Sequence, residues 1–290
     1  MKILIIGASS FLGSRIYEIL KLSFETYGTY NKNCKDDTLI YWNSSNYPQL
    51  LDIINRVEPS IVINCIALAD VDLCESLPEK SYLLNALVPY NLGNICNEQR
   101  IKLVHISTDH FENINRSKLL EADLPTCINV YSHSKLLGDS LLLAIENSNA
   151  IIVRANFFHF DFRYENKFIN KFVADISQDR SINGFVDVVY TPVSTTVLVE
   201  SIVNLIALNF SGVINVAANS PISKYDFLVR VSKILGKSAN LIAPITLSKL
   251  KLTAPRPRNM SLDNSLHISI ANSNMIEIDE MIKQELQWMK

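Results

Sequence analysis

The chain has 290 residues, of which 48% are hydrophobic and 19% charged, and it carries a formal net charge of −2. That length and hydrophobic content can bury a full core and exclude a disordered chain. The near-neutral balance excludes a global pull toward nucleic acid or an anionic membrane.

The first half alternates short apolar runs with helical patterns. Lys2–Ile6 reads as a buried strand, followed by a small-residue turn and an amphipathic stretch over Phe11–Leu20. Residues 26–30 and 39–42 read as strands, 48–57 as a helix, 60–64 as a strand and 81–98 as one long helix. Lys102–Ile106 is strand-like, 134–145 helical and 150–153 strand-like again. Continuous apolar runs separated by helices imply parallel strands covered on both faces. The predicted fold class is therefore α/β, a Rossmann-type doubly wound parallel sheet. Beyond residue 155 the pattern loosens: helices are expected over 166–177, 193–208, 224–235 and 276–289, with a proline-containing loop at 250–263. The expected organisation is a dinucleotide-binding domain over 1–155 and a smaller C-terminal substrate-binding lobe over 156–290, interleaved and without a clean linker.

The opening apolar run is too short for a signal peptide, and no stretch approaches the ~18 apolar residues of a membrane span. A cytoplasmic location without membrane attachment is expected. The five cysteines form no Cys-x-x-Cys pair and are expected as free thiols. No spacing among the five histidines suggests a metal site.

The turn after the first strand is Gly7-Ala8-Ser9-Ser10-Phe11-Leu12-Gly13, and it holds two of only eight glycines. Placed between strand and helix, such a turn aims backbone N–H groups and a helix N-terminus at a pyrophosphate. Gly7, Ser9, Ser10, Phe11, Leu12 and Gly13 are the candidate phosphate-loop residues. Ser10 stands where a third glycine is usual; it either crowds the phosphate or donates to it. After the second strand come Asn31 and Lys32, with none of the carboxylates that would hold a ribose 2′-hydroxyl. Lys32 could neutralise a 2′-phosphate, which favours NADP(H) over NAD(H); the alternative is a solvated loop lysine.

Two Tyr-x-x-x-Lys pairs occur, Tyr17/Lys21 and Tyr131/Lys135. Residues four apart share a helix face. Tyr17 lies on the first helix, whose far end is remote from the carboxyl ends of the strands where ligands bind in open α/β sheets, so it reads as structural. Tyr131 opens a helix instead, downstream of a strand that delivers Ser107, Thr108 and Asp109 to that edge. Lys135 beside Tyr131 would favour the phenolate and bring the phenol toward the operating pH. Lys135 can also donate to a nicotinamide ribose, and Thr108 can donate to the carbonyl oxygen that Tyr131 protonates. Asp109 either orients the site or caps the following segment.

These residues resemble the extended short-chain dehydrogenase/reductase superfamily, and within it the dTDP-4-dehydrorhamnose reductase group. The resemblance spans nearly the whole chain. It rests on Asn64–Ala67, Val71–Glu79, Asn85–Pro89, Ile106–Asp109, Glu121–Pro125 leading to Asn129–Lys135, and Arg256–Asp263. It implies NAD(P)H-dependent reduction of the 4-keto group of a nucleoside-diphosphate 6-deoxy sugar, for surface polysaccharide assembly. By motif position Thr108, Tyr131 and Lys135 inherit the catalytic roles, and Cys65, Ile66 and Ala67 join the cofactor site. The chain departs from the group at Ser10, at Ser132 where glycine follows the tyrosine, and at Asn43 where an acid is common. Nucleotide-sugar 4,6-dehydratases place Asp-Glu after the threonine. Here His110 follows Asp109, which disfavours dehydration.

Arg256 and Arg258 read as a diphosphate clamp, because guanidinium forks match phosphate oxygens; the competing reading is a solvated loop. His105 reads as a core or tautomer-fixed residue, His133 as pointing off the Tyr/Lys face, and His159 as core or pocket wall. Phe157, Phe158, Phe160 and Phe162 read as core or pocket wall rather than a nucleic-acid platform. The expected partners are a nucleotide sugar and, as an open possibility, a second copy of the chain. The rival readings are a non-catalytic NADP-binding regulatory subunit of the same fold and another nucleotide-sugar epimerase or reductase.

Overall fold

A computed structural model describes residues 1–32, 36–114, 117–165, 167–272 and 274–288. In chain order the first part comprises β1 (Lys2–Ile6), α1 (Phe11–Leu20), β2 (Glu25–Tyr30), β3 (Ile40–Tyr41), α2 (Tyr47–Val57), β4 (Ile61–Asn64), α3 (Val71–Ser76) and α4 (Pro78–Tyr82). A π-helical turn (Leu83–Leu87), α5 (Val88–Glu98), β5 (Lys102–Ile106), α6 (Val130–Leu143) and β6 (Ile151–Arg154) follow. The later part comprises β7 (Phe157–Phe158), α7 (Phe168–Ser177), β8 (Ile182–Phe185), β9 (Val189–Tyr190), β10 (Val193–Ser194), α8 (Thr195–Ala207), β11 (Gly212–Asn215), β12 (Ile222–Ser223), α9 (Lys224–Ile234), β13 (Ile242–Ile245), α10 (Ser265–Ala271) and α11 (Ile278–Gln287).

Residues 1–108, 127–154 and 199–214 form one compact unit, and residues 109–126, 155–198 and 215–290 another. The first unit is built on a seven-stranded sheet in the order β11-β6-β5-β4-β1-β2-β3. The pairings from β3 through to β6 are all parallel. This is the doubly wound α/β architecture expected from the alternating apolar runs. Strand β1 has β2 on one side and β4 on the other, so the chain reverses its direction of winding there. Ligands in open α/β sheets bind at the carboxyl ends beside such a switch. The central strands are mostly apolar because both faces are covered: on one, Leu4, Ile6, Val62, Leu103 and Ile152 pack with Leu50 and Ile54 of α2 and Leu92 and Ile95 of α5, and on the other Ile3, Ile5, Ile63 and Val104 are also buried.

The helix expected over 81–98 is interrupted. Pro89 lies in the first turn of α5, where a missing N–H is tolerated, and the π turn directly before it absorbs the register change. Helix α6 starts earlier than the apolar spacing indicates. Asn129 caps it by accepting the Ser132 N–H at 2.8 Å, and Ser132 Oγ accepts the Asn129 N–H at 3.4 Å, completing a capping box. Helices α3 and α10 and the pair β8/β13 have no clear signature in the sequence, being short and weakly periodic. In the second unit, Phe158, Phe160, Tyr190 and Phe227 stack edge-on at 5.0–6.3 Å between centroids and form an aromatic core.

Candidate active site

The loop from Gly7 to Gly13 joins β1 to the N-terminus of α1. Gly7 holds φ at +86°, and a Cβ there would lie 2.8 Å from Ile66 Cγ1. A Cβ on Gly13 would lie 2.1 Å from the Gly7 carbonyl oxygen. Both positions need glycine, one for its backbone angle and the other for close approach. Ser10 takes the N-cap of α1, its hydroxyl accepting the Gly13 N–H at 3.0 Å. The serine that replaces the usual glycine thus stabilises the start of the helix. The Gly7 N–H donates to Thr29 Oγ1 at 3.0 Å, tying the loop to β2.

Asn31 and Lys32 follow β2; Asn31 Nδ2 donates to Ser44 Oγ at 3.2 Å, and Lys32 is exposed. Asn43 is exposed and caps a local turn through the Ser45 N–H. Cys65, Ile66 and Ala67 follow β4. The Cys65 N–H donates to the Ile6 carbonyl and the Ile66 N–H to Asn64 Oδ1. Asn85, in the π turn, accepts the Leu68 N–H at 2.8 Å and donates to Leu68 O at 3.1 Å, which fixes this crossover segment. The sheet therefore brings the loop and strand-end cofactor candidates, from Gly7 to Ala67, to the carboxyl ends of β1, β2 and β4, while Tyr131 and Lys135 lie on α6.

Thr108 follows β5, and Tyr131 lies in the first turn of α6. Tyr131 Oη donates to Thr108 Oγ1 at 3.2 Å, so the two hydroxyls converge as their sequence positions predict. Lys135, one turn on, is 1% exposed. Its Nζ is 2.8 Å from Ile106 O and 3.1 Å from His105 Nε2. Burial pulls the Lys135 ammonium down to about 8, against the opposing influence of Asp139 and Cys65. Asp139, a further turn along the same face, accepts from Ser107 Oγ at 2.8 Å and from Arg154 Nε at 3.3 Å. Burial raises the Asp139 carboxyl, and the Arg154 charge is the largest influence against that rise. Burial also pushes the Cys65 thiol up to about 12 and holds His105 well below its ordinary value.

The second unit holds Asp109, Arg256 and Arg258. Asp109 is 3% exposed, and Asn156 Nδ2 donates to both its oxygens, at 3.1 and 3.0 Å. Burial raises the Asp109 carboxyl to about 6 against the pull of Asn156 and Lys224. His110 falls to about 3 through burial and the nearby charges of Lys224 and Arg256. Arg256 therefore belongs to a cluster with Lys224, His110 and Asp109. Arg258 is exposed, with Nε 4.0 Å from Asp187 Oδ2.

The remaining candidates fall outside these clusters. His133 is exposed, and His159 is fully buried with Nδ1 2.9 Å from Thr195 Oγ1. In the second Tyr/Lys pair, Lys21 Nζ lies 5.2 Å over the Tyr17 ring, a cation–π contact. Asp139 could have been found from its i+4 spacing to Lys135. Asn156 and Lys224 carried no comparable signal, and Asn64 stood out only as part of the 64–67 resemblance. Among the described residues no group of three His, Cys, Asp or Glu side chains could hold a metal, and no helix is long and apolar enough to cross a membrane.

The RmlD substrate binding domain family matches residues 1–288. A probable low-salt glycan biosynthesis reductase of Haloferax volcanii is 27% identical over 267 residues, covering 89% of this chain and 88% of its own length. A dTDP-4-dehydrorhamnose reductase of Mycolicibacterium smegmatis is 30% identical over 204 residues, 68% of this chain and 61% of its own length. The crystal structure of dTDP-4-dehydrorhamnose reductase from Bacillus anthracis, in complex with NADP, superposes with a TM-score of 0.87 at 22% identity, covering 99% of each chain. With a match that runs from the first strand through the last helix, and with the Thr108, Tyr131 and Lys135 geometry in place, the chain belongs to the RmlD substrate binding domain family.

Proposed function

We propose that the protein is an NADPH-dependent reductase of the 4-keto group of a nucleoside-diphosphate 6-deoxy sugar. The observation that carries this reading is the 3.2 Å contact between Tyr131 Oη and Thr108 Oγ1, with Lys135 buried one turn behind. Two hydroxyls at that separation can both donate to one carbonyl oxygen. Thr108 polarises it, and Tyr131 transfers its proton to it as the alcohol forms. Lys135 supplies positive charge behind the phenol, anchored on Ile106 O of β5 so that its position does not depend on solvent. Asp139 and Arg154 form the buried pair that holds the inner end of this helix face.

The loop and strand ends fit a dinucleotide. A capped helix N-terminus follows β1, and Asn31 and Lys32, directly after β2, offer an exposed lysine and no carboxylate. NADPH, when bound, supplies the hydride. Lys32 favours the 2′-phosphorylated form, in keeping with the NADP found in the Bacillus anthracis relative. The Asp109, Asn156, Lys224 and Arg256 cluster provides hydrogen-bonding and cationic groups suited to a sugar diphosphate. Surface glycan assembly is the expected destination of the product, as in the Haloferax volcanii relative's name.

The test is NADPH oxidation with dTDP-4-dehydrorhamnose and a panel of other nucleotide 4-ketosugars. Turnover is expected, with a loss of about 10²–10⁴-fold in Tyr131→Phe. Absence of turnover with every ketosugar, together with tight binding to another protein, overturns the reading in favour of a regulatory subunit. Turnover untouched by Tyr131→Phe overturns the mechanism.

A further inference from the structure

The buried groups behind Lys135 admit one consistent placement of their hydrogens. A backbone N–H only donates, so the Asn64 atom 3.1 Å from Ile66 N is the acceptor Oδ1. Nδ2 is then the atom 3.0 Å from His105 Nδ1. An amide NH₂ only donates, so Nδ1 presents its lone pair and a neutral His105 carries its hydrogen on Nε2. That Nε2–H points at Lys135 Nζ, 3.1 Å away. The next acceptor, Asp139 Oδ1, lies at 4.0 Å, beyond hydrogen-bond reach. An ammonium at Lys135 sets N–H against N–H. A neutral amine accepts from Nε2–H and still donates to Ile106 O at 2.8 Å.

We propose that Asn64 and His105 are positioning residues that weaken the hold of Lys135 on its proton, by presenting an N–H where the ammonium needs an acceptor. Protonating Lys135 requires His105 to lose its acceptor, or Asn64 to turn over and abandon the Ile66 N–H. Either route leaves a buried donor unpaired. The titratable groups facing Lys135 are His105 from β5, Cys65 from the end of β4 and Asp139 from its own helix. Asp139 is bound in turn by Arg154 and Ser107. His105 stays neutral and adds no countercharge, and Cys65, pushed up to about 12, adds one only as a thiolate. The fixed tautomer and the burial of Lys135 act in the same direction. On the reductase reading, these contacts set how much positive charge Lys135 carries on the helix face it shares with Tyr131. The coupling also runs through Ile66, in the segment 65–67 assigned to the cofactor.

The test uses long-range ¹H–¹⁵N correlation on the apoprotein, with the His105 signals assigned by their loss in His105→Phe. The expected result at neutral pH is a bare Nδ1 and a protonated Nε2. Lys135 is followed separately through its ¹³Cε shift against pH, assigned by its loss in Lys135→Met. Asn64→Asp can accept from both the Ile66 N–H and a His105 Nδ1–H. It is expected to move a hydrogen to Nδ1 and to raise the Lys135 midpoint by about one pH unit, tenfold in proton affinity. A hydrogen on Nδ1 in the unsubstituted protein overturns the proposal. So does an unmoved midpoint in Asn64→Asp, or an equal rise when Asn64→Asp is made in the His105→Phe background. Neither readout needs substrate or cofactor, so a failure of the reductase reading leaves this result standing.

Discussion

Thr108 and Tyr131 share a hydrogen bond but contribute different things to the chemistry. In the proposed mechanism Tyr131 carries the transferable proton, and Thr108 offers a fixed donor. Thr108→Val keeps the shape and removes the donor; kcat is expected to fall by about 10²-fold with little change in KM, read from steady-state kinetics. The folded-state value of Lys135 is lowered from 10.5 to about 8, so activity that needs the ammonium falls as pH rises through about 8. Stability moves the other way there, because between about 8 and 10.5 the unfolded lysine binds more proton than the folded one. Asp109 has the opposite sign. Its folded value is raised from 3.8 to about 6, so the folded state binds more proton across that window and stability declines as pH rises through it. Asp109→Asn is expected to remove that decline and to stabilise the protein at pH 7 by on the order of 2 kcal/mol relative to its effect near pH 4, measured by urea unfolding. The placement of Tyr131 and Lys135 one turn apart on α6 was legible, because helical spacing puts residues four apart on one face. The Asn64–His105 contact was not, because it links residues 41 apart that meet only through the parallel register of β4 and β5, in which they are Cα partners. Sequence spacing also could not show that Lys21 is occupied by the Tyr17 ring.

Helix α6 and the π turn are built for each other. A Cβ on Gly138 would lie 2.3 Å from the Asn85 carbonyl oxygen, and Ser134 Oγ meets Ser81 Oγ and Asn85 Nδ2 at 2.9 Å. Gly138→Ala must push the helix from that turn, which carries Asn85 and through it the Leu68 segment. A loss of about 1–3 kcal/mol in chemical denaturation is expected. Ser132 explains itself at this scale. The glycine usual after the tyrosine cannot close a capping box, whereas serine does, so the departure alters the helix start and leaves the hydroxyl of Tyr131 in place. The sequence pattern located α6 but not its cap, because Asn129 lies outside the apolar periodicity. It merged α4, the π turn and α5, because a π turn changes the hydrogen-bond register without changing the apolar content.

At the scale of the molecule, the strand ladder was legible from apolar runs and the closing edge of the sheet was not. Strand β11, Gly212–Asn215, lies far along the chain, yet it pairs beside β6, and the Gly212 N–H donates to Ala150 O at 2.8 Å. A fragment ending at residue 155 would leave β6, whose four residues are all buried, as a bare apolar edge. Such a fragment is expected to aggregate on expression, while a chain that retains 199–214 keeps the partner strand; solubility and far-ultraviolet circular dichroism of the two distinguish them. The aromatic run at 157–162 was legible as core or pocket wall, and Phe158 and Phe160 are its core members, but their partners Tyr190 and Phe227 come from elements whose proximity no local pattern announces.

The capped start of α6 has a consequence for motion. Helix N-termini ordinarily fray, because their first amide groups lack partners. Here the Val130 amide donates to Glu75 Oε1 at 2.8 Å and the Ser132 amide to Asn129 Oδ1 at 2.8 Å, on either side of Tyr131. Solvent deuterium should therefore enter this turn slowly, at rates closer to those of the buried strands than to those of other helix ends. The phenol is carried on backbone already settled before any ligand arrives.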